Sequence, residues 1–307
     1  MKSYQRVLLL FFLTLVVASL LSPWVAALWN YVLGSAQEFS QIFGALFVTT
    51  ATVLILSTRS LLGLQFLREA GLGPLRHGYR DLLRGFVIAI GSMAVLGVLM
   101  AMAGVFTPGF FHTLPAVLQW SVKSLLTALM VGFFEEIFFR GMIFKGLLED
   151  TRPVAAFAVA NMFYAAAHFI KPAEEFALSG LDPLAGARYL VQALEPFLDP
   201  AEILPGLVGL FVIGLALSYA LWRTQSLYLS IGLHAGWVFG LKTIRIFGEF
   251  ARADLGWAFG SSKPKIVSGI ITWVGIVAVV VVVHLVTRPH PNPLPRKERE
   301  GRGSQEL

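Results

Sequence analysis

The chain has no cysteine among its 307 residues. This excludes a disulfide framework, a thiolate nucleophile and a cysteine-ligated metal, and leaves the compartment unmarked by redox chemistry. Charge is also scarce, with Asp, Glu, Lys and Arg making up 14% of the residues, against roughly 25% in soluble domains. No convincing repeat is visible, and no polar stretch is long enough to enclose a separate core. What the chain does have is apolar sequence: 56% hydrophobic residues and a mean hydropathy of +0.73, gathered in long blocks. That pattern indicates a polytopic membrane protein.

A hydrocarbon crossing takes about 20 apolar residues. Suitable stretches lie near 6–29, 38–58, 85–107, 116–139, 153–170, 204–222, 226–247 and 267–287. The expected fold class is therefore all-α and polytopic, with about eight transmembrane helices and an intramembrane active site. The first stretch follows Lys2 and Arg6, but it is longer than a signal core and lacks a small-residue cleavage pattern, so it is expected to be retained.

Basic connections belong to the cytoplasm. The connection 59–84 carries Arg59, Arg68, Arg76, Arg80 and Arg84, whereas 171–203 carries Glu174, Glu175, Asp182, Glu195, Asp199 and Glu202. The expected location is a multi-pass position in a bacterial plasma membrane, with both termini, 59–84, 140–152 and Arg223 cytoplasmic. Lys263 and Lys265 on the outer side fit this least. The net charge of +6 follows from the bias and a basic tail. It implies contact with lipid headgroups, not nucleic acid.

One membrane domain is expected over 1–288, and 289–307, a Pro-rich basic run, is expected to be a disordered tail. The run Leu61–Arg68 has an apolar face beside cations, so it is either a helix on the inner headgroups or a plain connector. The acidic 171–203 segment is either a short amphipathic or re-entrant cap, or a surface loop.

Within this apolar setting, Gly132-Phe133-Phe134-Glu135-Glu136-Ile137-Phe138-Phe139-Arg140-Gly141 holds two carboxylates and a guanidinium. Each such group costs roughly 2.5–3.5 kcal/mol or more at mid-bilayer, so buried ones pair and mark sites. Glu136 and Arg140, spaced i,i+4, share a helix face and can pair. Glu135 points about 100° away, with no cation at i+3 or i+4.

Two turns bring the histidines to it. The polar turn at Glu149-Asp150-Thr151-Arg152-Pro153 makes its flanking helices antiparallel. Glu135 lies about 16 residues before it and His168 about 16 after, or roughly 25 Å on each arm. A second turn at Trp222-Arg223-Thr224-Gln225 puts His234 about 15 Å beyond it. The depths agree if 140–152 projects roughly 10 Å into the cytoplasm, placing the site in the cytoplasmic half. Tyr164, i,i+4 from His168, can orient that imidazole or pack beside it. Small residues around His234 allow close helix approach or room for a substrate backbone.

These motifs resemble the CPBP family, the CAAX-prenyl-protease and bacteriocin-processing endopeptidases also called Abi. Glu135, Glu136 and Arg140 match its Glu-Glu-x-x-x-Arg motif. Tyr164 and His168 match aromatic-x-x-x-His, and His234 and Val238 match His-x-x-x-hydrophobic. The resemblance covers about 115–240. It implies an eight-helix protease fold in which Glu135 activates water, His168 assists and His234 helps stabilise the oxyanion. Glu136, Arg140, Tyr164 and Val238 take supporting places. Val238 stands where many members carry Asn, a donor worth a few kcal/mol. Asn161 does not substitute for it, lying two turns nearer the cytoplasm than His168.

Cofactor use has two readings: none, or one divalent metal such as Zn²⁺ held by Glu135, His168 and His234 with a place left for water. No His-Glu-x-x-His, Gly-x-Ser-x-Gly or phosphate-binding glycine loop occurs. The expected function is endopeptidase action on a membrane-associated protein or peptide, with the bilayer as the other partner. Two rivals are a non-catalytic immunity or scaffold protein of the same fold and a proton-coupled transporter.

Overall fold

A computed structural model describes residues 3–33, 38–57, 71–170, 176, 178, 180–252, 254–260 and 266–289. The Leu61–Arg68 stretch, the tail beyond 289, Lys263 and Lys265 lie outside the described residues, so the readings made of them are not addressed. Each of the eight apolar stretches coincides with helix. These are α1 (Ser3–Leu33), α2 (Phe39–Ser57), α3 (Leu75–Met102), α4 (Leu114–Glu135), α6 (Pro153–Ala167), α8 (Pro200–Thr224), α9 (Leu227–Thr243) and α11 (Ile270–Val286). Among the described residues, three stretches, Leu8–Val32, Leu75–Met102 and Pro200–Thr224, are long and apolar enough to cross a membrane. The shorter members include α6 and α11.

The fourth helix does not stop near 139. It passes from α4 into a π-helical segment, Glu136–Phe144, and then into α5 (Lys145–Asp150). Arg140 to Phe144, Gly146 and Leu147 are buried. The 140–152 connection is thus not a loop: apart from Thr151 and Arg152 it is helix, and much of it is packed.

Local sequence explains the turns. The Thr151 hydroxyl bonds to the Leu147 carbonyl at 2.6 Å and ends α5, while Pro153 opens α6, where a missing N–H costs nothing. Gln225, at φ 57°, closes α8 with its N–H on the Leu221 carbonyl at 2.7 Å. Ser226 then caps α9.

α9 is the central helix, buried without a break from Leu227 to Gly236. Its glycines let backbones meet: a Cβ on Gly232 would stand 2.0 Å from the Leu82 carbonyl oxygen of α3. On the other side, a Cβ on Gly132 of α4 would lie 3.1 Å from the Ile231 carbonyl oxygen. The small residues around His234 thus serve close helix approach.

Outward faces are apolar too. Leu118, Val122, Leu126 and Met130 form an exposed i,i+4 stripe along α4, as a lipid-facing surface requires. Lys123, on the same helix, is exposed, and its stem is long enough to carry the ammonium toward headgroups.

The helical expectation needs one addition. Strands β1 (Phe106–Pro108) and β2 (Gly248–Phe250) pair antiparallel, with Phe106 opposite Phe250. The acidic 171–203 segment contains a helix, α7 (Ala185–Gln192), seated on α1. A final helical turn, α10 (Gly256–Phe259), precedes α11.

Candidate active site

Glu135 is the last residue of α4 and Glu136 the first of the π segment. Glu136 is wholly buried, and its Oε1 accepts from Arg140 Nη1 at 2.9 Å. The same oxygen accepts from His234 Nδ1 at 2.8 Å. Arg140 also reaches the Gly214 carbonyl of α8 at 3.4 Å, and its guanidinium lies 4.1 Å from the centre of the Tyr164 ring. The buried cation therefore has a carboxylate, a carbonyl and an aromatic face around it. Glu136 does more than neutralise Arg140, because it also holds the His234 ring.

Glu135 faces the other way, as its 100° offset requires. Its Oε2 lies 3.6 Å from His168 Nε2 and 3.8 Å from His234 Nε2. His168 ends α6, and its Nδ1 donates to the backbone carbonyl of Tyr164 at 2.8 Å. The Tyr164 ring packs edge-on against the His168 ring, 4.5 Å between centres. What orients His168 by hydrogen bonding is thus the main chain of residue 164.

Hydrogen bonding decides the tautomers. A carbonyl and a carboxylate only accept, so each imidazole carries its proton on Nδ1. With both rings neutral, the Nε2 lone pairs then face the Glu135 carboxylate. Three acceptors converge, and Glu135 Oε2 is buried without a hydrogen-bond partner. A water molecule brings two hydrogens, enough for two of these three acceptors at a time.

These donor types suit Zn²⁺. Tetrahedral bonds of about 2.0–2.1 Å put neighbouring donors roughly 3.3–3.4 Å apart, a few tenths of an ångström inside the 3.6 and 3.8 Å between Glu135 Oε2 and the two Nε2 atoms. Glu135, His168 and His234 are the residues that would hold such an ion.

Val238 lies one turn beyond His234, partly buried and without a polar atom to offer. Asn161 is spent elsewhere: its Nδ2 donates to Phe157 and its Oδ1 accepts from Ser218, at 2.8 and 2.9 Å. Ser218, Gly214 and the stacking of Arg140 on Tyr164 were not foreseen. The spacing of Gly214 and Ser218 on α8 hints at a shared face, but nothing in it names the partner helix.

Residues 117–240 match the Rce1-like family. Its description is type II CAAX prenyl endopeptidase Rce1-like. The Rce1-like segment runs from α4 into α9 and contains Glu135, Glu136, Arg140, Tyr164, His168, His234 and Val238. The likeness to CPBP endopeptidases read from the motifs is shown by this match, over nearly the residues expected. Comparison with curated proteins and with solved structures gave no match. The Rce1-like family implies a protease, and the apolar helices fit an integral membrane protein.

Proposed function

We propose that the chain is an intramembrane endopeptidase that hydrolyses a peptide bond of a membrane-associated protein or peptide. The observation carrying this reading is the convergence of Glu135 Oε2 with two imidazole Nε2 atoms at 3.6 and 3.8 Å. Glu135 takes a proton from water, whose oxygen attacks the scissile carbonyl carbon. His168, held by the Tyr164 carbonyl, keeps that water placed. His234 is oriented by Glu136 from behind. Its Nε2 receives from Glu135 the proton taken from water and, so protonated, donates a hydrogen bond to the tetrahedral oxyanion. The proton then passes to the leaving amine as the C–N bond breaks. The reaction runs without a metal, eight helices cross the bilayer, and both termini face the cytoplasm.

The test compares new protein termini in membranes from cells lacking the gene and complemented with wild type or Glu135→Gln at matched abundance. Termini made by wild type alone are expected. With the substrate so identified, purified enzyme is expected to keep its rate after chelator treatment. Identical termini from both versions, with the same phenotype restored, would replace the enzyme by a scaffold. Val238, with no donor to give, is the feature that favours that second reading.

A further inference from the structure

Beside the catalytic groups lies a cavity of about 460 Å³, within the range of small-molecule sites, roughly 300–1,000 Å³. Glu135 and His168 stand in its wall, and the rest is built mainly by α1, α2, the π segment and α7 with the residue that follows it. The remaining surface is nearly all apolar. Of its hydroxyls, Thr14 bonds to the Leu10 carbonyl at 2.7 Å and Ser40 to Glu38 at 3.5 Å.

The α7 wall comes from the connection between α6 and α8, not from one of the long helices. It is nevertheless firmly seated. Gly186 lies so close to α1 that a Cβ there would stand 1.8 Å from the Ser19 carbonyl oxygen. Tyr189 packs against Phe39, Phe43 and Phe176, with ring centres 5.4, 4.6 and 5.6 Å away. Ser19 is near the middle of the apolar stretch Leu8–Val32, so α7 reaches beside the centre of α1 and does not rest on its end. Tyr189, Leu190 and Ala193 thereby reach the same cavity as Glu135. Ala193 is fully buried, so a larger side chain there has to enter the cavity or displace α7.

We infer that α7 is the specificity wall of the site: Tyr189, Leu190 and Ala193 set the size of the apolar substrate group that fits beside Glu135. The inference rests on the protease reading, and it assigns to the 171–203 segment a role in substrate choice.

The test uses the full chain in phosphatidylcholine nanodiscs and two probes, a decyl and a hexadecyl alcohol, each with a terminal diazirine. After illumination, labelled peptides are mapped by mass spectrometry. In wild type, label is expected at Tyr189 to Ala193 and at Phe138 above the level at lipid-facing Leu126. Ala193→Phe is expected to lower cavity labelling by about fivefold or more, equivalent to roughly 1 kcal/mol, with Leu126 unchanged. Leu190→Ala enlarges the space without adding bulk, and is expected to raise the share of the longer probe. Equal labelling of cavity and lipid face in wild type would overturn the inference. So would labelling that responds to neither substitution. Termini report on proteolysis and labelling reports on the wall, so a protein labelled as expected that makes no new termini refutes the protease reading and not the cavity.

Discussion

At the scale of single residues, the site depends on which atoms are already committed. His168 is tied by a main-chain carbonyl, which any residue at 164 supplies. Tyr164→Phe should therefore leave cleavage of an identified substrate close to wild type. Tyr164→Ala removes the ring under Arg140 and beside His168, and should lower stability by about 3–5 kcal/mol, read by thermal unfolding in detergent. Arg140→Ala should be comparably severe, about 3–5 kcal/mol, because it strands the buried Glu136 charge. If instead it unfolds at the wild-type temperature, the pairing described here does not hold the segment. Much of this was legible in sequence. The offset between Glu135 and Glu136, the i,i+4 step to Arg140 and the two polar turns were enough to bring Glu135 toward His168 and His234. The bond from His234 to Glu136 was not, since it depends on how α9 is rotated against α4.

Elements differ in how openly they are written. The apolar stretches announce helices by composition alone, and Pro153, Gln225 and Ser226 sit where turn and cap chemistry expects them. The π segment has no such signal. Its hydrophobic run reads like any α-helix, and the wider turns appear only when Phe139, Arg140 and Phe144 are all buried together. The β1 and β2 pairing was equally hidden, because the strands are short and far apart in sequence. The contact of α3 with α9 is exacting, with the Gly232 position 2.0 Å from a carbonyl oxygen once a Cβ is added. Backbone cannot yield there as a side chain can. Gly232→Ala should cost about 1–3 kcal/mol or more through overpacking. It should also reduce cleavage by moving His234, two residues along. A stable and fully active Gly232→Ala protein would show that the helices part freely.

The whole molecule has two recognisable ends. At one, the Leu227 N–H donates to the Gly71 carbonyl at 3.1 Å and the Tyr228 hydroxyl to Gly73 at 2.6 Å. Arg223 there binds Thr287 and the His284 carbonyl, and His284 itself meets the Tyr219 hydroxyl at 2.7 Å, a partner its sequence neighbours did not reveal. The β1 and β2 ribbon lies at the other end. Gly71 and Gly73, at the end of the 59–84 connection, and Arg223 thus lie at one end of the molecule, the two connections that the charge bias assigns to one side. Absence of cysteine makes the check clean, since one introduced thiol is the only thiol present. Arg152→Cys should react with an impermeant maleimide only after cells are opened, and Leu181→Cys in intact cells. The reverse pattern would invert the protein. One further consequence follows from α2, which packs chiefly on α1 and through Phe39 and Phe43 on Tyr189, yet closes one side of the cavity. On the proposed protease reading, this wall is the expected side of arrival for a substrate already dissolved in the bilayer. Turnover should then follow the substrate's mole fraction among lipids and its diffusion in two dimensions, so inert lipid added at constant aqueous concentration is expected to slow cleavage.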